Sequence, residues 1–242
     1  MNNFDNPPKS PLTIVPGWGM GRGALTDLAA TLNATFIDLP GYRGTPLVKD
    51  FHVAADRLAE QLEPGQTLIG WSLGGMLSLA AAARHADKVG RLVLIAGTAS
   101  FVARDGWPHA MPPEQLAEFT NLVLADVETL LPRFVGNFNR GDQRAKAITR
   151  ELLDLVDPLP PLEVLATGLG WLRDVDLRPL LPAVRCPVLI VQGAHDPLMP
   201  LAGAALLAEA LPDARLEVME HAAHTPFLSD GEDFLSRVRP FL

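Results

Sequence analysis

Ser72 is the residue of this sequence best placed to do chemistry, because it stands at the centre of a G-x-S-x-G pentapeptide, residues 70–74. The apolar residues 67–69 before it predict a buried strand, and the Ala- and Leu-rich residues 73–84 after it predict a helix. A strand that turns into a helix through one residue strains that residue and exposes its side chain. The pattern therefore predicts a nucleophile elbow. The alternative is a glycine-rich turn without chemistry.

A serine hydroxyl reacts only when a base removes its proton and a third group orients that base. Asp196 follows the strand pattern that ends at Gln192, and His221 and His224 follow the strand pattern that ends at Met219. His224 is the better base because it lies deeper in its loop, beside the Thr-Pro turn, and His221 is the alternative. Asp196 could instead simply start the turn before Pro197. The order serine, acid, histidine, each after a separate strand, predicts a Ser-His-Asp unit of Ser72, Asp196 and His224.

The negative oxygen of a tetrahedral intermediate needs two N–H donors. Leu73, which follows the serine, can supply one from the start of its helix. The other is expected from Trp18, in the glycine-rich loop of residues 16–21. No cofactor is needed for this chemistry.

Short apolar strands alternate with helical segments along most of the chain. Strands are expected at residues 12–15, 34–39, 67–69, 91–96, 186–192 and 215–219, and helices at residues 24–32, 51–62, 73–84, 202–211 and 232–238. This alternation predicts an α/β fold with a mostly parallel sheet flanked by helices. In such sheets ligands bind beyond the carboxyl ends of the strands, where Ser72 is placed.

The alternation is interrupted by a proline-punctuated helical stretch without a convincing strand. We therefore predict a core of residues 1–99 and 183–242, and an inserted helical lid of residues 100–182. A lid over the strand ends would exclude water and shape a substrate pocket.

Composition excludes several other functions. The net charge of −8 over 242 residues argues against general nucleic-acid binding. The single cysteine, Cys186, allows no internal disulfide and favours a cytoplasmic protein. No apolar run is long enough to span a membrane, and residues 1–11 do not have the pattern of a signal peptide. Metal-binding and nucleotide-binding motifs are absent from the sequence, so no metal is expected.

With these residues in place, the chain resembles the α/β-hydrolase superfamily over nearly its whole length. More narrowly, it resembles the BioH family of biotin-synthesis carboxylesterases, which are pimeloyl-acyl-carrier-protein methyl ester esterases. The matching stretches are residues 17–19, 38–41, 70–75, 174–178 and 221–227. The most discriminating match is S-F-V-A-R-D-G-W-P at residues 100–108, at the entrance to the predicted lid.

The resemblance implies a serine carboxylesterase that releases methanol from the methyl ester and needs no cofactor. By motif, it assigns the catalytic roles to Ser72, Asp196 and His224. It also implies oxyanion or substrate contacts, from Trp18, Leu73, Phe134, Val135, Gly136, Asn137 and Phe138. Pro16 stands where the family commonly has histidine, and the family's leading antiparallel strands are expected to be reduced or missing.

An acyl-carrier protein is the partner that the resemblance implies, and the charge pattern can be compared with it. Residues 133–150 contain one acidic residue and five basic ones, which are our docking candidates: Arg133, Arg140, Arg144, Lys146 and Arg150. Helical spacing places the last four on one half of a helix, opposite Ile148 and Leu152. Such a face suits an acidic carrier. The alternative is an ordinary solvated helix face.

Two other functions remain open. A broad-specificity carboxylesterase of short acyl esters would have the same three catalytic residues and no carrier partner. A non-catalytic ligand receptor would need only the pocket. A dehalogenase is disfavoured because it would need a carboxylate at the position of Ser72.

Overall fold

The computed structural model of this protein describes residues 11–155 and 157–242. Of residues 1–11, in which no signal-peptide pattern was found, only residue 11 is described. The expectation that the family's leading antiparallel strands are reduced or missing also lies outside the described residues. Within the described ranges, six strands form one sheet in the order β2-β1-β3-β4-β5-β6, and every neighbouring pair is parallel. The strands are β1 (Leu12–Val15), β2 (Thr35–Phe36), β3 (Gln66–Trp71), β4 (Val89–Ile95), β5 (Val188–Gly193) and β6 (Ala214–Met219).

Helices connect these strands and flank the sheet. They are α1 (Thr26–Leu32), α2 (Phe51–Glu60), α3 (Leu73–Arg84), α4 (Pro113–Phe138), α5 (Ala145–Leu155), α6 (Leu162–Asp174), α7 (Leu201–Ala210), α8 (Pro226–Ser229) and α9 (Gly231–Val238). The predicted strands and core helices are all found, most of them within two residues of the predicted ends. The strand predicted at residues 34–39 is shorter, because only Thr35 and Phe36 pair with β1.

The register of the sheet brings four loops to one edge. Val15 pairs with Gly70, Trp71 with Ile95, and Gly193 with Met219, so β1, β3, β5 and β6 end at neighbouring positions. The loops that follow them carry Trp18, Ser72, Asp196 and His224. Strands β3 and β5 are buried along their whole length, which makes this edge a rigid platform.

The segment between β4 and β5 forms helices α4, α5 and α6 and a 3₁₀ turn, Arg178–Ala183. Helix α4 has a kink at Asp126, whose carboxylate accepts a hydrogen bond from Thr129 N at 3.1 Å and so caps the second half of the helix. The division at residues 100–182 into core and lid stays a prediction of the sequence.

The discriminating residues 100–108 fold into a tight turn that joins the two ends of this segment. Trp107 Nε1 donates to Ser100 O at 3.1 Å, and Arg104 Nη2 donates to Arg173 O at 2.8 Å. Arg178 Nη1 donates to Asp105 O at 2.5 Å. The motif thus holds the start of the segment between β4 and β5 against its end. Phe101 from this turn also lines the cavity described below.

Glycines at the elbow allow β1, β3 and α3 to approach at backbone distance. A Cβ on Gly74 would collide with the carbonyl oxygens of Val15 and Pro16, and a Cβ on Gly70 would lie 2.6 Å from Gly75 Cα. By contrast, a Cβ on Gly170 in α6 would meet no atom within 4 Å.

We expect Gly74→Ala to lower the free energy of unfolding by about 2–3 kcal/mol, because two backbone segments would have to separate. The matched control is Gly170→Ala, which should raise it by about 0.5–1 kcal/mol because alanine favours a helix and finds open space there. Urea titrations of the three proteins measure this difference. Equal stabilities for the two variants would contradict the packing described here.

Candidate active site

Ser72 lies between β3 and α3 with φ 56° and ψ −121°, a backbone conformation that residues other than glycine rarely adopt. Its backbone N–H donates to Ile95 O at 3.0 Å, which ties the strained residue to the end of β4. Because α3 begins at the next residue, the N–H of Leu73 has no acceptor in its own helix. The serine side chain and a free N–H group therefore lie side by side.

The imidazole of His224 lies between the hydroxyl of Ser72 and the carboxylate of Asp196. His224 Nε2 is 3.1 Å from Ser72 Oγ, and His224 Nδ1 is 2.8 Å from Asp196 Oδ2. The side chains of Asp196 and His224 are 0% and 3% exposed, so both are shielded from water. The structure thus places His224, and not the alternative His221, against the serine. His221 is exposed and contributes a backbone carbonyl instead.

The carboxylate of Asp196 is held by donors on both oxygens. Oδ1 accepts from Leu198 N at 2.9 Å and from Met199 N at 3.0 Å. Oδ2 accepts from Gln192 Nε2 at 3.0 Å as well as from His224. Asp196 therefore does start the turn before Pro197, and it contacts the histidine as well. The two interpretations of this residue are compatible.

The loop after β1 lies directly against the serine. A Cβ on Gly17 would lie 3.2 Å from Ser72 Cβ, so a side chain at this position would push against the serine. The indole of Trp18 donates to Leu165 O at 2.9 Å, which anchors the loop to α6. Gly19 N donates to the hydroxyl of Tyr42 at 2.9 Å, and burial raises the pKa of Tyr42 to about 12. These contacts hold the loop that is predicted to supply the second oxyanion donor.

A cavity of about 550 Å³ opens above Ser72 and His224. Its walls are mostly apolar, and aromatic rings form a large part of them: Trp18, Trp71, Phe101, Phe119, Phe134 and Phe138. Polar side chains among the lining residues, apart from Ser72 and His224, are Gln115, Glu118, Asn137 and Arg140. The cavity can take an extended apolar chain whose reacting end meets the serine.

The predicted contacts in α4 need a correction. Phe134, Asn137 and Phe138 line the cavity, but Val135 and Gly136 do not. The reason is helical spacing, because positions i, i+3 and i+4 share one face of a helix and the two residues between them point elsewhere. A Cβ on Gly136 would lie 3.9 Å from Thr149 Cγ2, so this position faces α5.

The predicted basic helix also needs a correction. Helix α5 begins only at Ala145, so Arg140 and Arg144 lie in the turn before it, where Gly141 has φ +95°. Arg144 Nη1 donates to Leu228 O at 2.8 Å and is therefore engaged with α8. Ile148 and Leu152 are buried, as predicted for the opposite face. The five candidates Arg133, Arg140, Arg144, Lys146 and Arg150 are all exposed.

Sequence reasoning missed four residues that hold this site, namely Tyr42, Asn139, Asp142 and Gln192. Each is a buried polar group whose partner is distant in sequence or lies across a turn, so no local motif marks it. The one available signal is Gln192 itself, a polar residue at the end of an otherwise apolar strand.

In residues 11–155 and 157–242 no helix is long and apolar enough to cross a membrane. In the same ranges no group of three or more His, Cys, Asp or Glu side chains is arranged to hold a metal ion.

Comparison with known proteins gives a consistent result. The model of the alpha/beta hydrolase fold family matches residues 14–231. A pimeloyl-[acyl-carrier protein] methyl ester esterase of Aeromonas hydrophila is 34% identical, with 96% of this chain and 94% of the relative covered. A protein of the same name from Aromatoleum aromaticum is 38% identical, with 92% and 94% covered.

Solved structures agree on the fold. An esterase from Exiguobacterium antarcticum superposes with a TM-score of 0.83 at 24% identity, covering 96% of this chain and 91% of that one. An enol-lactonase from Burkholderia xenovorans gives a TM-score of 0.80 at 21% identity, with 96% and 91% covered.

Tyr42 generates a prediction about alkaline stability. Its pKa is about 12 in the folded protein and about 10 in the unfolded chain, so the unfolded chain loses the proton first as the pH rises. The free energy of unfolding should therefore fall between pH 9 and pH 11, and Tyr42 should account for about 1 kcal/mol of that loss. Urea titrations at both pH values, on the wild type and Tyr42→Phe, measure this contribution. The prediction fails if both proteins lose the same amount.

Proposed function

This chain belongs to the alpha/beta hydrolase family, and on that basis we propose that it hydrolyses the methyl ester of a pimeloyl-acyl-carrier protein through an acyl-enzyme on Ser72. The observation that carries the chemistry is the chain of contacts from Ser72 Oγ through His224 to Asp196. The substrate class is supported by relatives of that name, which match nearly the whole chain at 34–38% identity.

The reaction begins when Ser72 Oγ attacks the ester carbonyl carbon and His224 Nε2 accepts the hydroxyl proton. Asp196 holds the Nδ1–H of the imidazole and stabilises its positive charge. The backbone N–H groups of Leu73 and Trp18 receive the negative oxygen. When the intermediate collapses, the C–O bond to the alcohol breaks and methanol leaves with the proton from His224.

A water molecule then attacks the acyl-enzyme with His224 as general base. The bond to Ser72 breaks, the serine regains its proton, and the free carboxylate of the pimeloyl chain is released. Phe138 lies edge-on to the imidazole, with ring centroids 5.4 Å apart. Phe138 therefore packs against the imidazole that would protonate the leaving alcohol.

The volume and the mostly apolar lining of the cavity suit a long acyl chain joined to a carrier. The aliphatic part of the chain would lie along the aromatic walls, with the methyl ester at Ser72. The opposite end would leave past polar residues such as Gln115 and Arg140. The predicted lid, residues 100–182, would keep water away from the acyl-enzyme until the alcohol has left.

The basic residues of the turn and of α5 are the proposed docking surface for the carrier. Arg140 lines the cavity, and Lys146 and Arg150 are exposed on α5. The relatives are named for a substrate attached to an acyl-carrier protein. Attraction between this surface and an acidic carrier would orient the substrate and speed its association. We also place the enzyme in the cytoplasm, which rests on its single cysteine.

The second candidate is a broad-specificity carboxylesterase of short esters. The apolar cavity favours it as well, because nothing in an apolar wall rejects a shorter chain strongly. A carrier-dependent enzyme should prefer the carrier-linked ester by a large factor in kcat/KM, whereas a broad esterase should not.

We expect Ser72→Ala to reduce methyl ester hydrolysis by at least about 10⁴-fold, because it removes the nucleophile. The measurement is a competition between pimeloyl-carrier methyl ester and p-nitrophenyl acetate, with released acid and released phenol quantified separately. A variant that keeps most of its activity on either substrate would refute the acyl-enzyme route. Equal kcat/KM values in the wild type would favour the broad esterase.

We expect the double variant Lys146→Glu/Arg150→Glu to raise KM for the carrier-linked ester about tenfold, and to leave p-nitrophenyl acetate hydrolysis unchanged. The difference should shrink as salt is added, because exposed charges are screened. The matched control is Arg57→Glu on α2, an exposed arginine outside the proposed surface. Identical KM values for the wild type and the double variant would place the docking surface elsewhere.

A further inference from the structure

The turn between α4 and α5 is in direct contact with the loop that carries His224. We call residues 138–144 the lid turn and residues 220–225 the histidine loop. Two of their contacts use side chains: Thr225 Oγ1 donates to Asn139 Oδ1 at 2.8 Å, and Ala223 N donates to Asp142 Oδ2 at 3.1 Å. Two more join backbones, from Gln143 N to His221 O at 3.0 Å and from His224 N to Phe138 O at 3.4 Å.

These contacts are shielded from water. Asn139 and Thr225 are 0% exposed and Asp142 is 7% exposed. Hydrogen bonds in such surroundings are stronger than on the surface, and the loss of one partner leaves the other unsatisfied. The two segments are therefore joined rigidly.

Asp142 is an unusual choice if its only task were to build the turn. Its Oδ1 accepts from Arg144 N at 2.7 Å, a local bond that an uncharged serine could also make. Burial of a carboxylate is costly unless its oxygens are paired. The second oxygen reaches across to Ala223, the residue next to His224, and this contact distinguishes aspartate from a shorter residue.

The same turn also contacts the acid loop and the cavity. A Cβ on Gly141 would lie 2.8 Å from the Cβ of His195, the neighbour of Asp196. Phe138, the first residue of the turn, lines the cavity and touches the imidazole ring. The turn thus lies between the substrate wall on one side and two of the three catalytic loops on the other.

We propose that Asn139 and Asp142 are positioning residues that fasten the histidine loop to the lid, so that the insertion and not the sheet alone sets the place of the general base. This inference rests on the proposed role of His224 in ester hydrolysis. It implies that a carrier docked on the lid turn would contact the same residues that hold the imidazole of His224.

The test exchanges Thr225, which touches neither substrate nor the reacting atoms. Thr225→Val keeps the shape and removes the hydroxyl, so it leaves Asn139 Oδ1 without its donor. Thr225→Ser keeps the hydroxyl. We expect Thr225→Val to lower kcat about tenfold with KM within about twofold, because a displaced base slows the chemical step more than binding. Thr225→Ser should keep at least half of the wild-type kcat.

A second variant covers the case in which Thr225→Val does not fold. Asp142→Ser retains an acceptor for Arg144 N but is too short to reach Ala223 N. Asp142→Asn keeps the length but has only one acceptor oxygen, so its amide NH2 group would face the N–H of Arg144 or of Ala223. We expect both variants to lose about tenfold in kcat, because neither can accept from Arg144 N and Ala223 N at the same time. If the serine variant keeps the wild-type kcat, Asp142 only caps the turn and the proposal is wrong for this residue.

A readout independent of the substrate separates positioning from stability. Phenylmethylsulfonyl fluoride sulfonylates Ser72 with loss of fluoride, and the rate depends on proton removal by His224. Thr225→Val should slow this inactivation by the same factor as kcat. If Thr225→Val is inactivated at the wild-type rate and keeps the wild-type kcat, but has a lowered Tm, Thr225 and Asn139 have a purely structural role and the proposal is overturned.

The same assays distinguish failure of this proposal from failure of the proposed function. A wild-type enzyme that reacts with the sulfonyl fluoride but does not hydrolyse the carrier-linked ester refutes the substrate and leaves the positioning test valid with p-nitrophenyl acetate. A wild-type Ser72 that does not react at all refutes both.

Discussion

The strained backbone of Ser72 is the constraint on which the rest of the site depends. A residue at φ 56° and ψ −121° costs of order 1–3 kcal/mol, so it persists only where the surrounding structure permits no relaxed alternative. Here α3 must begin immediately after β3 and lie against the carbonyl groups of β1, which only glycine at positions 70 and 74 allows. The hydroxyl is therefore held above the sheet by backbone packing, and the other groups of the site have to be brought to it.

They are brought there by groups from different parts of the fold. Asp196 is held by Gln192 at the end of β5 and by two N–H groups of its own turn. The loop after β1 is held by Tyr42 and by the segment between β4 and β5, because Trp18 donates to Leu165 and Arg22 N donates to Asp157 Oδ2 at 2.9 Å. The side chain of Arg22 also donates to both carboxylate oxygens of Asp38. The segment between β4 and β5 is therefore part of the structure that fixes the site.

The sequence predicted those features that depend on local order along the chain. Strand patterns and the residues just after them located Ser72, Asp196 and His224, because a parallel sheet collects the carboxyl ends of its strands at one edge. It did not predict where α4 ends and α5 begins, since helical spacing continues through residues 140–144 and only the backbone of Gly141 and the side-chain bonds of Asp142 interrupt it.

The positioning groups could not be predicted for a different physical reason. Asp142 and Ala223 are 81 residues apart, and Asn139 and Thr225 are 86 residues apart, so their contact depends on the exact packing of the insertion on the core. Tyr42 is 23 residues from Gly19, whose N–H its hydroxyl accepts. Periodicity reports which face of an element is buried, but it does not report which distant backbone group a buried polar atom will meet.

The negative net charge of the protein makes the basic residues of the lid turn important for binding the proposed carrier. At −8, the protein as a whole repels an acidic protein, so a productive encounter requires a local region of opposite sign. In physiological salt the field of an exposed charge decays over about 8 Å. The charges around the cavity therefore dominate the interaction with an approaching carrier, and more distant surface charges contribute little. Arg140 lies at the cavity and Arg144 is bonded to α8, just beyond the histidine loop. The segment that would attract the carrier is therefore the one that contacts the histidine loop.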